Sequence, residues 1–187
     1  MYTVDELDEV VKLTAAPRPD IGAPLPHLVC DEGHVVLAYL ASEPYAAWDG
    51  RGVTVVGPQT EGDSVVVVRF RWPYAHMFGP PNDEAFEGHP LAARGLEPYD
   101  VYEVRRSSWL RRLERMNAVH WNHHPERFLA HRRHFVFAFH DATFECIAEG
   151  FTFEVARGSV RSVIPRMLAL LDERHAAAGT APGPGSV

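Results

Sequence analysis

The clearest candidates for chemistry in this sequence are histidines and a carboxylate on two adjacent strand-like segments. Residues 134–140 alternate, so that His134 and His140 share one face with two small apolar residues, while three phenylalanines point the other way. A two-residue turn at 141–142 would make His140 a diagonal neighbour of Glu145 on that face. A carboxylate fixes the tautomer of a nearby imidazole and raises its pKa, which suits acid–base catalysis near neutral pH. The pattern predicts a pocket on a sheet face, with His140 and Glu145 as catalytic residues and His134 as a further one.

The same kinds of side chain could also hold a divalent metal ion. Neutral imidazole and carboxylate groups are ordinary ligands of zinc and iron. One candidate metal set is therefore His140, Glu145 and His134. A second set lies three and four residues apart after a basic helix, which is ligand spacing on a helix, and consists of His120, His123 and His124. A simpler alternative for the second set is that histidines are favourable at the negative C-terminal end of a helix.

Residues 73–98 are rich in proline and glycine and are predicted to be a long loop. Turn chemistry explains those residues, but it does not explain the carboxylates, His89 and Arg94 in the same segment. The functional interpretation is a covering loop that brings His89, as a catalytic group, or Arg94, as an anchor for an anionic substrate, over the sheet. A polar surface loop is the alternative. Tyr99 and Tyr102 follow, and they could bind substrate in the same pocket.

The charge of the chain is unevenly distributed. The 187 residues carry a formal net charge of −7, yet residues 105–133 hold eight arginines and two glutamates. Guanidinium groups match phosphate oxygens, so this segment could bind an anionic ligand. It could equally pair with acidic residues at 5–9 or 83–87, within one chain or across a dimer. Nucleic acid is not expected as a partner, because no helix-turn-helix, zinc-finger, RRM or KH signature occurs.

The elements that must position these residues are grouped by type rather than alternating. Strands are predicted over residues 34–41, 52–56, 64–72, 99–104, 134–140 and 143–156. Helices are predicted over residues 4–15, from a cap at Ser107 or Ser108 to residue 119, and over residues 159–177. We therefore expect an α+β fold, in which an antiparallel sheet has an N-terminal, a central and a C-terminal helix packed on it. A single domain is expected over residues 1–178, followed by a disordered tail over residues 179–187.

Several function classes lack their sequence signatures. No P-loop, dinucleotide-binding glycine fingerprint or Gly-x-Ser-x-Gly motif occurs. Two cysteines are too few for a disulfide scaffold. No apolar run is long enough for a transmembrane helix and no secretion signal is visible, so we expect a cytoplasmic protein with no membrane partner.

Two functions remain as hypotheses. The first is a small soluble enzyme that acts on a small organic molecule, including an anionic one, by His–carboxylate acid–base or metal-assisted chemistry. Its pocket would lie on the sheet face under the 73–98 loop, and its reaction class stays open among lyase, isomerase, hydrolase and metal-dependent oxygenase. The alternative is a non-catalytic binding or regulatory protein that docks an acidic partner or nucleic acid through residues 105–133. A homo-oligomer is a further expectation, since basic and acidic regions of neighbouring copies could meet.

Overall fold

Strands account for most of the regular structure in this protein. The computed structural model describes residues 2–43 and 55–173. The strands among these residues are β1 (Glu9–Lys12), β2 (His27–Cys30), β3 (Val35–Leu40), β4 (Asp63–Arg71), β5 (Ala75–Gly79), β6 (Asp100–Arg105), β7 (Arg133–Ala138), β8 (Thr143–Ala148) and β9 (Gly150–Gly158). The helices are α1 (Ser108–Asn117), α2 (Pro125–Ala130) and α3 (Ile164–Asp172), and short 3₁₀ turns lie at Phe86–Gly88 and Ala92–Arg94.

The strands form two antiparallel sheets that pack face to face. The first sheet has the order β1-β6-β7-β8-β5, and the second has the order β2-β3-β4-β9. Aromatic side chains from both sheets fill the space between them, and the ring centroids of Phe135 and Phe151 lie 5.0 Å apart. Phe70 and Phe137 are completely buried in the same layer. Because large rings bury the most apolar area, this layer contributes much of the free energy of folding.

The outer face of each sheet is also apolar and is covered by other elements. On the second sheet, α3 packs through Met167 and Leu170. On the first sheet, α1, α2 and the segment after β5 pack through residues that include Trp109, Phe128 and Leu91. The predicted α+β arrangement of three helices on one antiparallel sheet is therefore wrong. The described chain is mostly β, with two sheets and with its helices on opposite outer faces.

The predicted N-terminal helix is wrong as well, because residues 4–15 contain a turn followed by β1. The Asp5 carboxylate accepts a hydrogen bond from the backbone N–H of Leu7 at 2.9 Å. The Asp8 carboxylate accepts one from the N–H of Asp5, also at 2.9 Å. Short carboxylate side chains compete with the helix for these backbone groups. The valines that follow then pair with β6 in the extended conformation that β-branched residues favour.

Many of the other predicted elements are present. The strands predicted at residues 34–41, 64–72, 99–104 and 134–140 correspond to β3, β4, β6 and β7. The predicted central helix is α1, with Ser107 as its N-cap, and α3 lies within the predicted C-terminal helix. Thus the strongly patterned segments were assigned correctly, although the architecture was not.

The remaining differences have local causes. The predicted strand over residues 143–156 is two strands, since Gly150 begins β9 and the chain changes sheets there. Residues 73–98, predicted to be a loop, contain β5, and neither β2 nor α2 was predicted. Residues 52–54 of the predicted 52–56 strand, the predicted helix beyond residue 173 and the predicted tail lie outside the described residues.

Candidate functional site

A buried carboxylate, Glu145 on β8, is the centre of a polar cluster on the outer face of the first sheet. This residue is only 6% exposed. The Tyr2 hydroxyl donates a hydrogen bond to Glu145 Oε2 at 2.5 Å, and His134 Nε2 donates to the same oxygen at 2.8 Å. His89 Nε2 lies 3.4 Å from the other oxygen, Oε1. Three groups from distant parts of the sequence therefore converge on one carboxylate.

Contacts on the far side of both imidazoles determine which nitrogen carries the proton. The backbone N–H of Leu91 donates to His89 Nδ1 at 3.1 Å, which leaves a proton on Nε2, facing the carboxylate. His134 Nδ1 lies 2.9 Å from Ser107 Oγ. That hydroxyl oxygen already accepts the backbone N–H of Leu110 at 3.2 Å, so its own proton is available for His134. Both imidazoles thus present Nε2–H to the carboxylate.

These donors determine the charge of Glu145. Burial raises the pKa of the Glu145 carboxyl, but the hydrogen bonds from His134 and His89, with that from Tyr2, outweigh burial and lower the pKa to about 2. Burial and the adjacent carboxylate raise the pKa of the Tyr2 phenol. At neutral pH the cluster therefore contains a carboxylate anion and a protonated phenol.

The strand register explains why His134, and not His140, reaches Glu145. Val136 pairs with Glu145, so His134 is the diagonal neighbour of the carboxylate. The hairpin closes through a four-residue loop at 139–142, whereas the predicted two-residue turn would shift the pairing by two residues. A shift of two residues keeps every side chain on its face, and the predicted histidine and phenylalanine faces are confirmed.

The segment over residues 73–98 covers this face, and apolar residues of the segment pack directly on the sheet. Phe86 and Leu91 are buried against the sheet. Their packing brings His89, which is 4% exposed, onto the cluster. Arg94 is exposed at the end of its 3₁₀ turn and lies outside the cluster. Apolar residues of the segment therefore occupy part of the face on which the sequence predicted a pocket.

A cavity of about 390 Å³ lies beside the cluster, and we call it the arginine groove. Its apolar lining consists of Leu7, Val104, Leu110 and Leu129. Its charged lining consists of Glu103, Arg105, Arg106, Arg111, Arg132 and Arg133. Ser107 also lines the groove. The hydrogen bonds that begin at Glu145 and pass through His134 therefore end at this cavity.

Acidic residues near the N-terminus pair with some of these arginines, as one interpretation of the sequence expected. Arg111 Nη2 lies 2.7 Å from both carboxylate oxygens of Asp5, and Arg106 Nη2 lies 3.3 Å from Glu9 Oε2. The Arg132 guanidinium stacks on an aromatic ring, with 4.1 Å between its carbon and the ring centroid. Arg133 also binds Glu103, with 3.0 Å between Nε and Oε1. The five arginines of the groove therefore exceed the four nearby carboxylates by one, and this small excess of positive charge favours an anionic ligand.

His140 belongs to a separate and more exposed group at the end of the hairpin. Its Nδ1 lies 3.0 Å from Asp141 Oδ1, and its Nε2 lies 3.8 Å from Asp83 Oδ2. The hydrogen bond with Asp141 raises the pKa of His140. The Tyr99 hydroxyl donates to Asp83, and Tyr102 is buried on the outer sheet face. The candidates His140, Tyr99 and Tyr102 are thus not brought together with the arginine groove.

Neither predicted metal set is assembled in the described part of the chain. His123 Nε2 contacts Glu114 Oε1 at 2.8 Å, the His120 ring stacks on Trp121, and His124 precedes α2. In the first set, the imidazole donates directly to the carboxylate that would have been its fellow ligand. Among residues 2–43 and 55–173, no group of three or more His, Cys, Asp or Glu side chains is arranged to hold a metal ion.

Two members of the cluster were not predicted as site residues. Ser107 was recognised as a possible helix cap, and its position between a strand and a helix was the only signal of a further role. Tyr2 had no such signal, because its contact with Glu145 spans 143 positions of sequence. Such a contact depends on the fold and not on local spacing.

No helix in the described ranges is both long and apolar enough to cross a bilayer. Comparisons with protein-family models, with curated proteins and with solved structures found no match.

Proposed function

We propose that this protein hydrolyses a small anionic ester bound in the arginine groove. Ser107 is the nucleophile, His134 is the general base, and Glu145 orients the imidazole. The observation that carries the proposal is an unbroken series of hydrogen bonds from a serine that lines a cavity to a buried carboxylate. This is the connectivity of a nucleophile, a base and an orienting acid.

The backbone places Ser107 at the junction of a strand and a helix. Ser107 follows β6 and caps α1, and the preceding Arg106 has a φ of 51° in the left-handed region. Such a strand–turn–helix setting is used by nucleophilic serines in hydrolases. The N-terminal end of α1 lies at this hydroxyl, and the Asp8 carboxylate accepts the backbone N–H of Ser108 there at 2.7 Å.

The reaction has two balanced stages. Ser107 Oγ bonds to the carbonyl carbon of the ester, and its proton passes to His134 Nδ1 while Nε2–H remains bonded to Glu145. The bond from the carbonyl carbon to the alkoxy oxygen then breaks, and the departing alcohol takes the proton from His134. Water attacks the acyl-serine and gives its proton to His134. The carboxylic acid leaves, and Ser107 recovers its proton.

The lining of the groove supports the choice of substrate class. Leucine and valine side chains can contact an acyl or aryl group, while guanidinium groups bind a carboxylate or phosphate in a bidentate manner. A volume of about 390 Å³ is within the range of small-molecule sites. A small molecule with one apolar end and one anionic end fits both features.

An active-site serine probe tests this proposal. The full chain is treated with a fluorophosphonate, and the modified serine is located by mass spectrometry. We expect labelling at Ser107, with loss in Ser107→Ala and strong reduction in His134→Gln. Ser159 is a matched control for Ser107, because the two serines are 2% and 1% exposed. Unlike Ser107, Ser159 donates directly to a carboxylate, that of Glu61, without an intervening imidazole. Absence of labelling at Ser107, or equal labelling of Ser159, contradicts the proposal.

A second candidate function has its own observation. Three apolar residues in the last turn of α1 and in the connection to α2 are exposed: Met116 by 64%, Val119 by 92% and Trp121 by 90%. Exposed tryptophan and methionine beside arginines are typical of protein interfaces. This favours docking of an acidic protein surface. Retention on immobilised poly-glutamate should then fall in Arg115→Gln and in Trp121→Ser, and unchanged retention of both variants excludes this candidate.

A further inference from the structure

A buried hydroxyl on α1 has no partner. Ser108 is the first residue of α1 and is 6% exposed, and its Oγ makes no hydrogen bond with the described residues. A buried hydroxyl without a hydrogen-bond partner destabilises the folded protein. Such a group in a native protein calls for an explanation, and a bound ion is one of the usual ones.

Ser108 lines a small polar cavity of about 170 Å³. The other lining residues are Thr3, Asp5, Arg111, Arg112 and Arg115. Positions 108, 111, 112 and 115 follow helical spacing, so their side chains share one face of α1. This face therefore combines three guanidinium groups with one unpaired hydroxyl.

The charge and chemistry of this cavity match a tetrahedral oxyanion. The lining holds three arginines and one carboxylate, Asp5, and a second carboxylate, that of Asp8, lies 3.9 Å from Arg111 Nη2, so the arginines outnumber these two carboxylates by one. Guanidinium groups bind phosphate oxygens in pairs, and a hydroxyl donates to a further oxygen. The lining of the cavity is polar, which distinguishes it from the arginine groove with its leucines.

We propose that Ser108, Arg111, Arg112 and Arg115 form a binding site for inorganic phosphate or for the phosphate group of a monoester. The Ser108 hydroxyl donates to one phosphate oxygen, which supplies the partner that it lacks. Arg111 remains next to Asp5 and turns part of its guanidinium to the anion. The site is separate from the groove and does not depend on the hydrolase activity, although Arg111 borders both cavities.

Calorimetric titration of inorganic phosphate into the full chain tests the site. We expect saturable binding of one phosphate per chain, with competition by sulfate and little effect of chloride. Because hydrogen bonds to a charged group are strong, Ser108→Ala and Arg115→Gln should each weaken binding by about tenfold. Arg127→Gln removes the same charge from the exposed surface of α2 and should leave binding unchanged.

A thermal unfolding experiment distinguishes a binding role of Ser108 from a structural one. Without phosphate, Ser108→Ala should be at least as stable as the natural chain, since it removes an unpaired hydroxyl. With phosphate, the natural chain should gain more stability than the variant. Absence of saturable binding, equal binding by Ser108→Ala, or an equal loss in Arg127→Gln overturns the site. Arg132→Gln, in the groove, should bind phosphate normally, so failure of the groove proposal can be recognised separately.

Discussion

Glu145→Gln should destabilise the protein in a way that depends on pH. The substitution keeps the shape of the side chain but removes the charge to which Tyr2, His89 and His134 are directed. The pKa of Glu145 is about 2 in the folded protein, compared with an ordinary value of 4.5. Since one pKa unit corresponds to about 1.4 kcal/mol, the lowered pKa contributes about 3 kcal/mol of stability at neutral pH.

The sign of this dependence follows from the direction of the shift. A lowered pKa stabilises the folded state above the unfolded pKa of 4.5, and this stabilisation is lost as the pH falls towards 2. The difference in unfolding free energy between the natural chain and Glu145→Gln should therefore be constant from pH 7 to about pH 5 and about 2 kcal/mol smaller near pH 3.

Urea denaturation followed by circular dichroism measures this difference at each pH. Urea is suitable because it is uncharged and leaves ionic contacts unscreened. Glu126→Gln is the control, since Glu126 is an exposed carboxylate on α2 and its removal should produce no comparable change with pH. A Glu145→Gln effect of the same size at pH 7 and near pH 3 would refute the conclusion that the three donors stabilise the ionised carboxylate.

Three further predictions concern stability, and each can be measured by urea denaturation. Gly158→Ala should be destabilised by about 1 kcal/mol or more, because its φ is +152° and an added Cβ would lie 2.6 Å from Ser162 Oγ; an unchanged midpoint would contradict this. Asp8→Ala should lower the free energy of unfolding by about 1–2 kcal/mol, since the buried Asp8 carboxylate accepts the backbone N–H of Ser108 at 2.7 Å. An unchanged free energy of unfolding would mean that water replaces the carboxylate. Phe137→Ala should lower the free energy of unfolding by about 3–5 kcal/mol, because the ring is fully buried between the sheets. A decrease below about 1 kcal/mol would contradict the burial of this ring between the two sheets.

The sequence predicted the structure correctly where neighbouring residues alone determine it. Alternation over residues 134–138 correctly separated the phenylalanine face from the histidine face, because successive side chains of a strand point to opposite sides of the sheet. The cap at Ser107 was likewise a local signal, since its hydroxyl bonds to an N–H three residues ahead. These features required no knowledge of distant parts of the chain.

The errors arose where the local conformation of a segment depends on pairing with a strand that is distant in the sequence. The valines of β1 follow helical spacing, yet they pair with β6, which lies more than ninety positions away along the chain. The turn at 141–142 lacks the glycine that would specify a two-residue hairpin, so the sequence did not determine the register. Because the register was undetermined, the histidine next to Glu145 was predicted to be His140, whereas His134 makes that contact.

The hydrolysis of two matched p-nitrophenyl esters is the most direct test of the proposed site. One ester carries a free carboxylate on its acyl chain, and the other is neutral and of equal length. The natural chain should have the higher kcat/KM with the anionic ester. In Arg132→Gln, kcat/KM should fall about tenfold with the anionic ester and stay unchanged with the neutral one. In Ser107→Ala, kcat/KM should fall about a thousandfold with both esters. Equal hydrolysis by Ser107→Ala and the natural chain, or no turnover of the anionic ester, would contradict the assignment of Ser107, His134 and Glu145 as a catalytic unit.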